Sequence, residues 1–271
     1  MKNSLILPVL FLLIFSCNEK KEKKQETNEP ILKEENVTYT LDTITMNGFV
    51  VYDENIVGTR PGVVVVHEWW GLNDYPKMRA RELAKLGYIA FAADIYGNGT
   101  TVDNPKDAER MAVPFYMKPE MGKARLDAAI EKLKSYKQTD PNKIAGIGYC
   151  FGGGLLLNSA RLGENVNAVV SFHGSLLGTP AEKNLLKSDI LVCHGAADQF
   201  VPQTEVDQFR KQMDSIGAKY TFKVYAGATH AFTNPAATEV GKKFNIPIAY
   251  NASADSASWN DMKEFFRKIF N

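Results

Sequence analysis

A cysteine between glycines is the strongest chemical signal in this sequence. The segment Gly148-Tyr149-Cys150-Phe151-Gly152 follows an apolar stretch typical of a strand and begins a glycine-rich stretch typical of a helix. This is the G-x-S-x-G nucleophile elbow with cysteine in the central place, a tight turn that projects its central side chain from the top of a sheet. The positive end of the following helix would stabilise a thiolate. We therefore predict that Cys150 is a nucleophile, the alternative being a small buried cysteine in a tight turn.

An acid and a histidine follow the cysteine at two later strand ends. Asp198 lies on the loop after the predicted strand 190–193, and His230 follows the predicted strand 220–225. Nucleophile, acid and histidine therefore come in the chain order of the α/β-hydrolases. In such a triad the imidazole takes the proton of the nucleophile, and the carboxylate orients the imidazole. Alone, Asp198 could cap a helix and His230 could be a surface residue, but the ordered set predicts a Cys-Asp-His triad.

The elements that would position these residues alternate between strands and helices. Strands are predicted at 37–45 and 48–52, around a turn at Asn47-Gly48, and at 62–66, 88–93, 143–147, 166–171, 190–193 and 220–225. Helices are predicted at 75–86, 119–136, 152–162, 203–216 and 256–270. This alternation predicts the α/β class, with a mostly parallel central sheet and helices on both faces. Functional side chains then belong at the carboxyl ends of the strands.

Four separated motifs resemble the dienelactone hydrolase family. They are Val-Val-Val-His-Glu-Trp-Trp-Gly at 64–71, Gly-Tyr-Cys-Phe-Gly-Gly at 148–153, His-Gly-Ala-Ala-Asp at 194–198 and His-Ala-Phe at 230–232. The resemblance extends from about Gly48 to the C-terminus and implies an α/β-hydrolase fold. It also implies hydrolysis of an ester or lactone through a thioester on Cys150, without a cofactor.

The resemblance assigns three further residues to the catalytic centre. It implies that Glu68, just after the valine-rich strand, contacts the resting thiol and helps to generate the thiolate. Its alternative is a solvated or ion-paired loop glutamate. The backbone N–H groups of Trp69 and Phe151 would form the oxyanion hole, where one donor is worth on the order of 3 kcal/mol.

Aromatic residues near the predicted strand ends are candidates for the substrate pocket. These candidates are Trp70, Tyr96, Tyr149, Phe232 and Tyr250. The extra stretch 236–256 is a candidate cover for the site.

Two departures from the family pattern bear on the substrate. Family members that act on dienelactone carry arginines where this chain has Asn98 and, after the catalytic histidine, Asn234. A substrate that is neutral near the scissile bond is therefore expected. Alternative functions are a thioesterase or a carbohydrate-acyl esterase with the same triad, and, less favoured, a lipid-anchored binding protein without catalysis.

The remaining histidines and the third cysteine are predicted to be structural. His67, His173 and His194 follow strand ends but do not form the close ligand cluster that a metal site needs, so no metal is expected. Cys193 lies inside an apolar strand and is expected to be a free thiol, since a bridge to Cys150 would disable the nucleophile.

The N-terminus has the pattern of an export signal. Residues 1–16 contain the apolar run Leu5 to Phe15, too short for a membrane span of roughly 20 residues, and Cys17 follows directly. Ser16-Cys17 resembles a bacterial lipoprotein box, with a plain signal peptide as the alternative. We therefore predict a signal peptide at 1–16, a lipidated Cys17 on a polar, flexible tether at 17–36, and a hydrolase domain at 37–271.

These features predict the partners and the location of the protein. Lipid at the N-terminus would hold it on a membrane, facing the periplasm or the cell surface of a bacterium. The partner at the catalytic centre would be a small ester or lactone. A net charge of +1 argues against a nucleic-acid partner.

Overall fold

The computed structural model describes residues 29–271, and strands alternate with helices along them. The strands are β1 Leu32–Leu41, β2 Ile44–Asp53, β3 Arg60–Val66, β4 Ile89–Ala93, β5 Thr139–Tyr149, β6 Ala168–Phe172, β7 Asp189–Gly195 and β8 Tyr220–Tyr225. The helices are α1 Asp74–Lys85, α2 Pro105–Met117, α3 Pro119–Lys134, α4 Phe151–Arg161, α5 Gln203–Ile216, α6 Ala237–Phe244 and α7 Ala252–Phe270.

The described strands form a sheet in the order β1-β2-β4-β3-β5-β6-β7-β8. Strands β3 to β8 are parallel, and the first two strands, β1 at the edge and β2 beside it, are antiparallel to their neighbours. The run Val63 to Val66 in β3 is fully buried, because apolar side chains cover both faces of the sheet there. The predicted α/β class with a mostly parallel sheet and helices on both faces is confirmed.

Strands β1 and β2 determine where the chain enters the sheet. Leu32 of β1 pairs with Asp53 at the end of β2, and β2 runs antiparallel to β4. Strand β1 therefore starts at the edge where the parallel strands start. Cys150 lies at the opposite edge, directly after the carboxyl end of β5.

Strand β1 starts earlier than predicted, since residues 32–36 belong to it and not to a tether. The reason is that an edge strand needs little apolar surface when the backbone is paired and its charges are matched. Arg81 donates to the carboxylate of Glu34 at 2.7 and 2.9 Å, and Lys33 lies 3.5 Å from Glu54.

The predicted turn at Asn47-Gly48 is also wrong, because both residues lie inside β2. A Cβ on Gly48 would lie 2.6 Å from the ring of Phe91, so the missing side chain makes room for a core aromatic. The chain turns instead at Asp42, which has a φ of 53°.

Helix α2 was not predicted. Pro114 lies inside it and interrupts the apolar pattern. The segment 236–256 contains α6 and the start of α7.

The predicted signal peptide at 1–16, the lipidation at Cys17 and the tether up to residue 28 lie outside the described residues. Within residues 29–271, every helix is too short or too polar to cross a membrane.

Candidate active site

The nucleophile elbow has the backbone that its glycines predict. Cys150 has φ 51° and ψ −114°, between the end of β5 and the start of α4. A Cβ on Gly148 would lie 2.3 Å from the carbonyl oxygen of Gly152, and one on Gly152 would lie 2.5 Å from that of Val66. No side chain fits at those distances, so the tight turn depends on both glycines.

Asp198 and His230 meet Cys150 at the carboxyl edge of the sheet. His230 Nδ1 lies 2.9 Å from Asp198 Oδ2, and His230 Nε2 lies 3.0 Å from Cys150 Sγ. The backbone N–H groups of Phe200 and Val201 donate to Asp198 Oδ1 at 2.9 and 3.3 Å and fix the carboxylate. Burial lowers the pKa of His230, but the adjacent Cys150 sulfur and Asp198 carboxylate outweigh it and raise that pKa above its ordinary value. This geometry can move a proton from the thiol to the imidazole.

Glu68 lines the same cavity as Cys150, but its carboxylate is held by an amide. Asn234 Nδ2 donates to Glu68 Oε2 at 2.6 Å, and Asn234 Oδ1 accepts from the N–H of Ala236 at 2.9 Å. The expected contact of Glu68 with the resting thiol does not occur among the hydrogen bonds of residues 29–271. Burial raises the pKa of Glu68 to about 7, although Asn234 and His230 favour the charged form.

His173 supports the elbow from behind. The backbone N–H of Cys150 donates to Phe172 O at 3.0 Å and also lies 3.2 Å from His173 Nδ1, and His173 Nε2 lies 2.7 Å from Thr233 Oγ1. Burial lowers the pKa of His173 far below its ordinary value, so the ring is neutral. Since Nδ1 accepts, Nε2 carries the proton and donates to Thr233. Thr233 Oγ1 in turn lies 2.6 Å from the hydroxyl of Tyr75.

The two amides expected to form the oxyanion hole are available. Neither Trp69 N–H nor Phe151 N–H takes part in a hydrogen bond within the described residues. The N–H of Gly152 donates to His67 O at 3.1 Å and fixes the Trp69 loop against the start of α4. Two unengaged N–H groups beside a nucleophile suit a developing oxyanion.

A cavity of about 320 Å³ opens over Cys150. Its walls are mainly apolar and aromatic, and no lysine or arginine of residues 29–271 lines it. The lining residues are Glu68, Trp69, Trp70, Glu109, Ala112, Val113, Tyr116, Cys150, Ser175, Phe200, Val201, His230, Ala231, Ile246 and Ile248.

Helix α2 supplies four lining residues that the sequence analysis missed, namely Glu109, Ala112, Val113 and Tyr116. Two signals were present in the sequence. Their spacing repeats at three and four residues, as one helix face requires, and Asn104-Pro105 is a typical helix start. The Asn104 side chain indeed accepts from the N–H of Asp107.

Of the five pocket candidates, the structure places only Trp70 in the cavity wall. The prediction is wrong for Tyr149 and Phe232, which are fully buried in the core. Tyr149 stacks on Phe172 at 4.9 Å because it precedes the turn and points to the other face of the sheet. Phe232 packs on Tyr225 at 5.5 Å.

Tyr96 and Tyr250 are also placed outside the cavity wall, since their hydroxyl groups are tied elsewhere. Tyr96 donates to Trp69 O at 2.8 Å, and Tyr250 donates to Asp255 Oδ2 at 3.3 Å. The stretch 236–256 nevertheless contributes Ile246 and Ile248 to the wall, where residue 248 forms a bridge with His230.

Asn98, Arg79 and Arg110 do not line the cavity. Asn98 is exposed on a turn with a φ of 55°. Arg79 is buried and bonds to the carbonyl of Thr233 and to Asp255, and Arg110 pairs with Asp107.

The other histidines and Cys193 are held by internal contacts. His67 Nδ1 donates to Glu68 O at 2.5 Å, and burial lowers the pKa of His67 to about 4. Cys193 is a free thiol whose pKa burial raises to about 12. Among residues 29–271, no group of His, Cys, Asp and Glu is arranged to hold a metal ion.

A family model and individual known proteins that match this chain indicate the same family. Residues 46–270 match the model of the dienelactone hydrolase family. The protein usf of Aquifex pyrophilus is 32% identical over 214 residues, 77% of this chain and 88% of that protein. A putative carboxymethylenebutenolidase of Aquifex aeolicus is 32% identical over 213 residues, 76% of this chain and 87% of its own length.

A solved structure with the same fold is also similar in sequence. A dienelactone hydrolase-like promiscuous phosphotriesterase from metagenomic libraries is 33% identical, with a TM-score of 0.83. The match covers 89% of this chain and 99% of that one. With the cysteine elbow at the carboxyl edge of an α/β-hydrolase sheet, these matches show that the chain belongs to the dienelactone hydrolase family and is a hydrolase of the ester or lactone type.

Proposed function

We propose that this hydrolase cleaves neutral carboxylic esters or lactones through an acyl-thioester on Cys150. The observation that carries the proposal is the chain of hydrogen bonds from Cys150 Sγ to His230 and from His230 to Asp198, at 3.0 and 2.9 Å. Cys150 and His230 line the cavity, and the N–H groups of Trp69 and Phe151 are without hydrogen-bond partners in the described residues.

The reaction follows from these contacts. His230 takes the thiol proton, and the thiolate attacks the carbonyl carbon while the N–H groups of Trp69 and Phe151 bind the oxyanion. The C–O bond breaks, and the leaving alkoxide takes its proton from His230. Water, deprotonated by His230, then attacks the thioester, which releases the acid and the free thiol.

We further propose that Glu68, which lines the same cavity as Cys150, helps to form the thiolate by accepting the proton of the thiol. A carboxyl group with a pKa of about 7 exchanges protons near neutral pH, where an ordinary glutamate is always ionised. Asn234 fixes one oxygen atom of this carboxyl group by the 2.6 Å hydrogen bond.

The neutrality of the substrate is supported by the lining of the cavity. Glu68 and Glu109 are acidic, and no arginine or lysine among residues 29–271 lines the walls to bind a carboxylate. A buried carboxylate would lose its hydration without a partner.

Intact-mass analysis tests the proposal. After brief exposure to an activated ester, the mass should rise by one acyl group on Cys150, and Cys150→Ala should abolish both the adduct and turnover. Cys193→Ala is the matched control and should keep both. Acylation of a serine, or equal acylation of Cys193, would refute the proposal.

A neutral phosphotriester is a second candidate substrate. It is supported by the activity in the name of the similar metagenomic enzyme and by the lack of cationic residues in the described cavity wall. Turnover of a phosphotriester at a rate above that of matched carboxylic esters would make it the primary activity.

The location that we propose is a membrane surface, with Cys17 lipidated after removal of residues 1–16. Support comes from the short apolar run that ends at Ser16-Cys17. Cys17→Ala should release the protein from membranes or block its processing. An unmodified Cys17 on a soluble wild-type protein would overturn this location.

A further inference from the structure

Exposed apolar side chains are concentrated around the mouth of the cavity. Ten large hydrophobic side chains are exposed within residues 29–271, and three of them, Val113, Tyr116 and Phe200, line this cavity. Two more exposed apolar residues, Met117 and Leu177, are close in sequence to residues of the wall, and we call the five together the apolar rim.

Three residues of the apolar rim belong to the cavity wall, and the other two are near wall residues in the chain. Val113, Tyr116 and Phe200 line the cavity and are also 42%, 46% and 45% exposed. Met117 follows Tyr116 at the end of α2 and is 76% exposed, and Leu177 lies two residues after Ser175 of the wall. Single exposed apolar residues are ordinary, but a contiguous group at a site indicates something that binds there.

We propose that the apolar rim binds an extended hydrocarbon chain of the ester substrate, a proposal that rests on the ester hydrolysis proposed above. A substrate whose carbonyl carbon lies at Cys150 Sγ and whose chain is longer than the cavity has to pass over this rim. The chain is in the acyl or in the alcohol part of the ester. Each methylene buried there gains up to about fourfold in kcat/KM.

Two substrate series distinguish the two parts of the ester. The first varies the acyl chain from acetate to laurate with p-nitrophenol as a common leaving group. The second varies the alcohol from methyl to decyl with acetate as the common acyl group. We expect kcat/KM to rise with chain length in one series, below the critical micelle concentration. A flat or falling profile in both series would overturn the proposal, while hydrolysis of the acetate would still support the esterase function.

Variants outside the cavity wall test the role of the rim itself. Met117→Gln and Leu177→Asn keep side-chain size and remove apolar character, and each should lower kcat/KM for the longest ester roughly three- to tenfold. Neither should change kcat/KM for the acetate. Val57→Thr is the matched control, because Val57 is 96% exposed on the loop before β3, at the opposite edge of the sheet. Equal losses for acetate and laurate would overturn the proposal.

A readout without turnover makes the test independent of the esterase function. Iodoacetamide and its long N-alkyl analogue both alkylate Cys150, and the long reagent should react faster only while the rim is intact. Sedimentation of the same variants shows whether the rim instead joins two copies. Loss of a dimer with an unchanged preference for the long reagent would overturn the proposal.

Discussion

The environment of Glu68 disfavours the charge of its carboxylate. It is 3% exposed in an apolar wall, and one amide hydrogen bond does not compensate for the lost hydration of a carboxylate. Its folded-state pKa of about 7 lies above the ordinary 4.5. Stability from this group is therefore complete below pH 4.5 and is lost as the pH rises through 7.

Glu68→Gln should separate stability from activity. At pH 8 the variant should be more stable than the wild type by up to about 3 kcal/mol, because the amide avoids ionisation in the buried site. Turnover should fall by about 100- to 10,000-fold, since a proton acceptor is removed. Urea unfolding and kcat/KM across the pH range measure both.

Urea unfolding at low pH is the control for this prediction. At about pH 4 the two proteins should unfold at similar urea concentrations, because Glu68 is then neutral in both states. A wild-type rate for Glu68→Gln with an unchanged pH profile would make Glu68 a structural residue.

Thr233 connects His173 to Tyr75 beneath the elbow. Thr233→Val should leave His173 Nε2–H without its acceptor and cost about 1–3 kcal/mol. It should also slow alkylation of Cys150, whose N–H faces the other ring nitrogen at 3.2 Å. Thr233→Ser keeps the hydroxyl and should keep the alkylation rate. Equal rates in the Val and Ser variants would contradict this role.

Among the elements, α4 starts so close to the end of β3 that Gly152 leaves no room for a side chain. In Gly152→Ala the new Cβ would lie 2.5 Å from Val66 O, so the helix has to shift and the variant should lose roughly 3 kcal/mol. Gly154→Ala is the matched control in the same helix, with its nearest contact at 3.3 Å. It should be near neutral in thermal unfolding, and equal effects of the two variants would contradict this account.

The sequence predicts those elements that carry a strong local pattern. The run of valines predicts strand β3, and the predicted bounds of α5 and β8 agree with the structure. Cys150, Asp198 and His230 were placed after strand ends, where parallel strands bring them together. Their proximity follows from topology, because all parallel strands end at one edge.

Features that depend on tertiary contacts were missed. The first half of β1 is polar and is held by pairing with β2, which no local pattern reveals. The Asn47-Gly48 pair predicts a turn, but Gly48 instead makes room for the ring of Phe91. Tyr149 and Phe232 are aromatic and near the triad in sequence, yet the strand and loop directions turn both into the core.

At the scale of the whole molecule, the net charge of +1 hides a local asymmetry. Arg79 and Arg110 form ion pairs outside the cavity, whereas the described cavity wall contains two glutamates, Glu68 and Glu109. p-Nitrophenyl butyrate should therefore have a kcat/KM roughly tenfold or more above that of its carboxylated analogue, mono-p-nitrophenyl succinate. Steady-state kinetics at constant ionic strength measure the ratio.

A cation added at the mouth checks the electrostatic reason. Val113→Lys should lower the ratio of kcat/KM for the neutral ester to kcat/KM for the carboxylated ester. Val57→Lys, at the opposite edge of the sheet, should leave this ratio unchanged. A wild-type preference for the succinate would contradict a neutral substrate.

The entry of the chain at the edge opposite Cys150 determines what the mouth of the cavity faces. Any support joined to the N-terminal side, whether a lipid anchor, a fused protein or a resin bead, holds the molecule by its far end. With the attachment point at the edge of the sheet opposite Cys150, such a support does not have to cover the mouth of the cavity. Immobilisation through this end keeps the cavity accessible, whereas coupling through the end of α2 would block it.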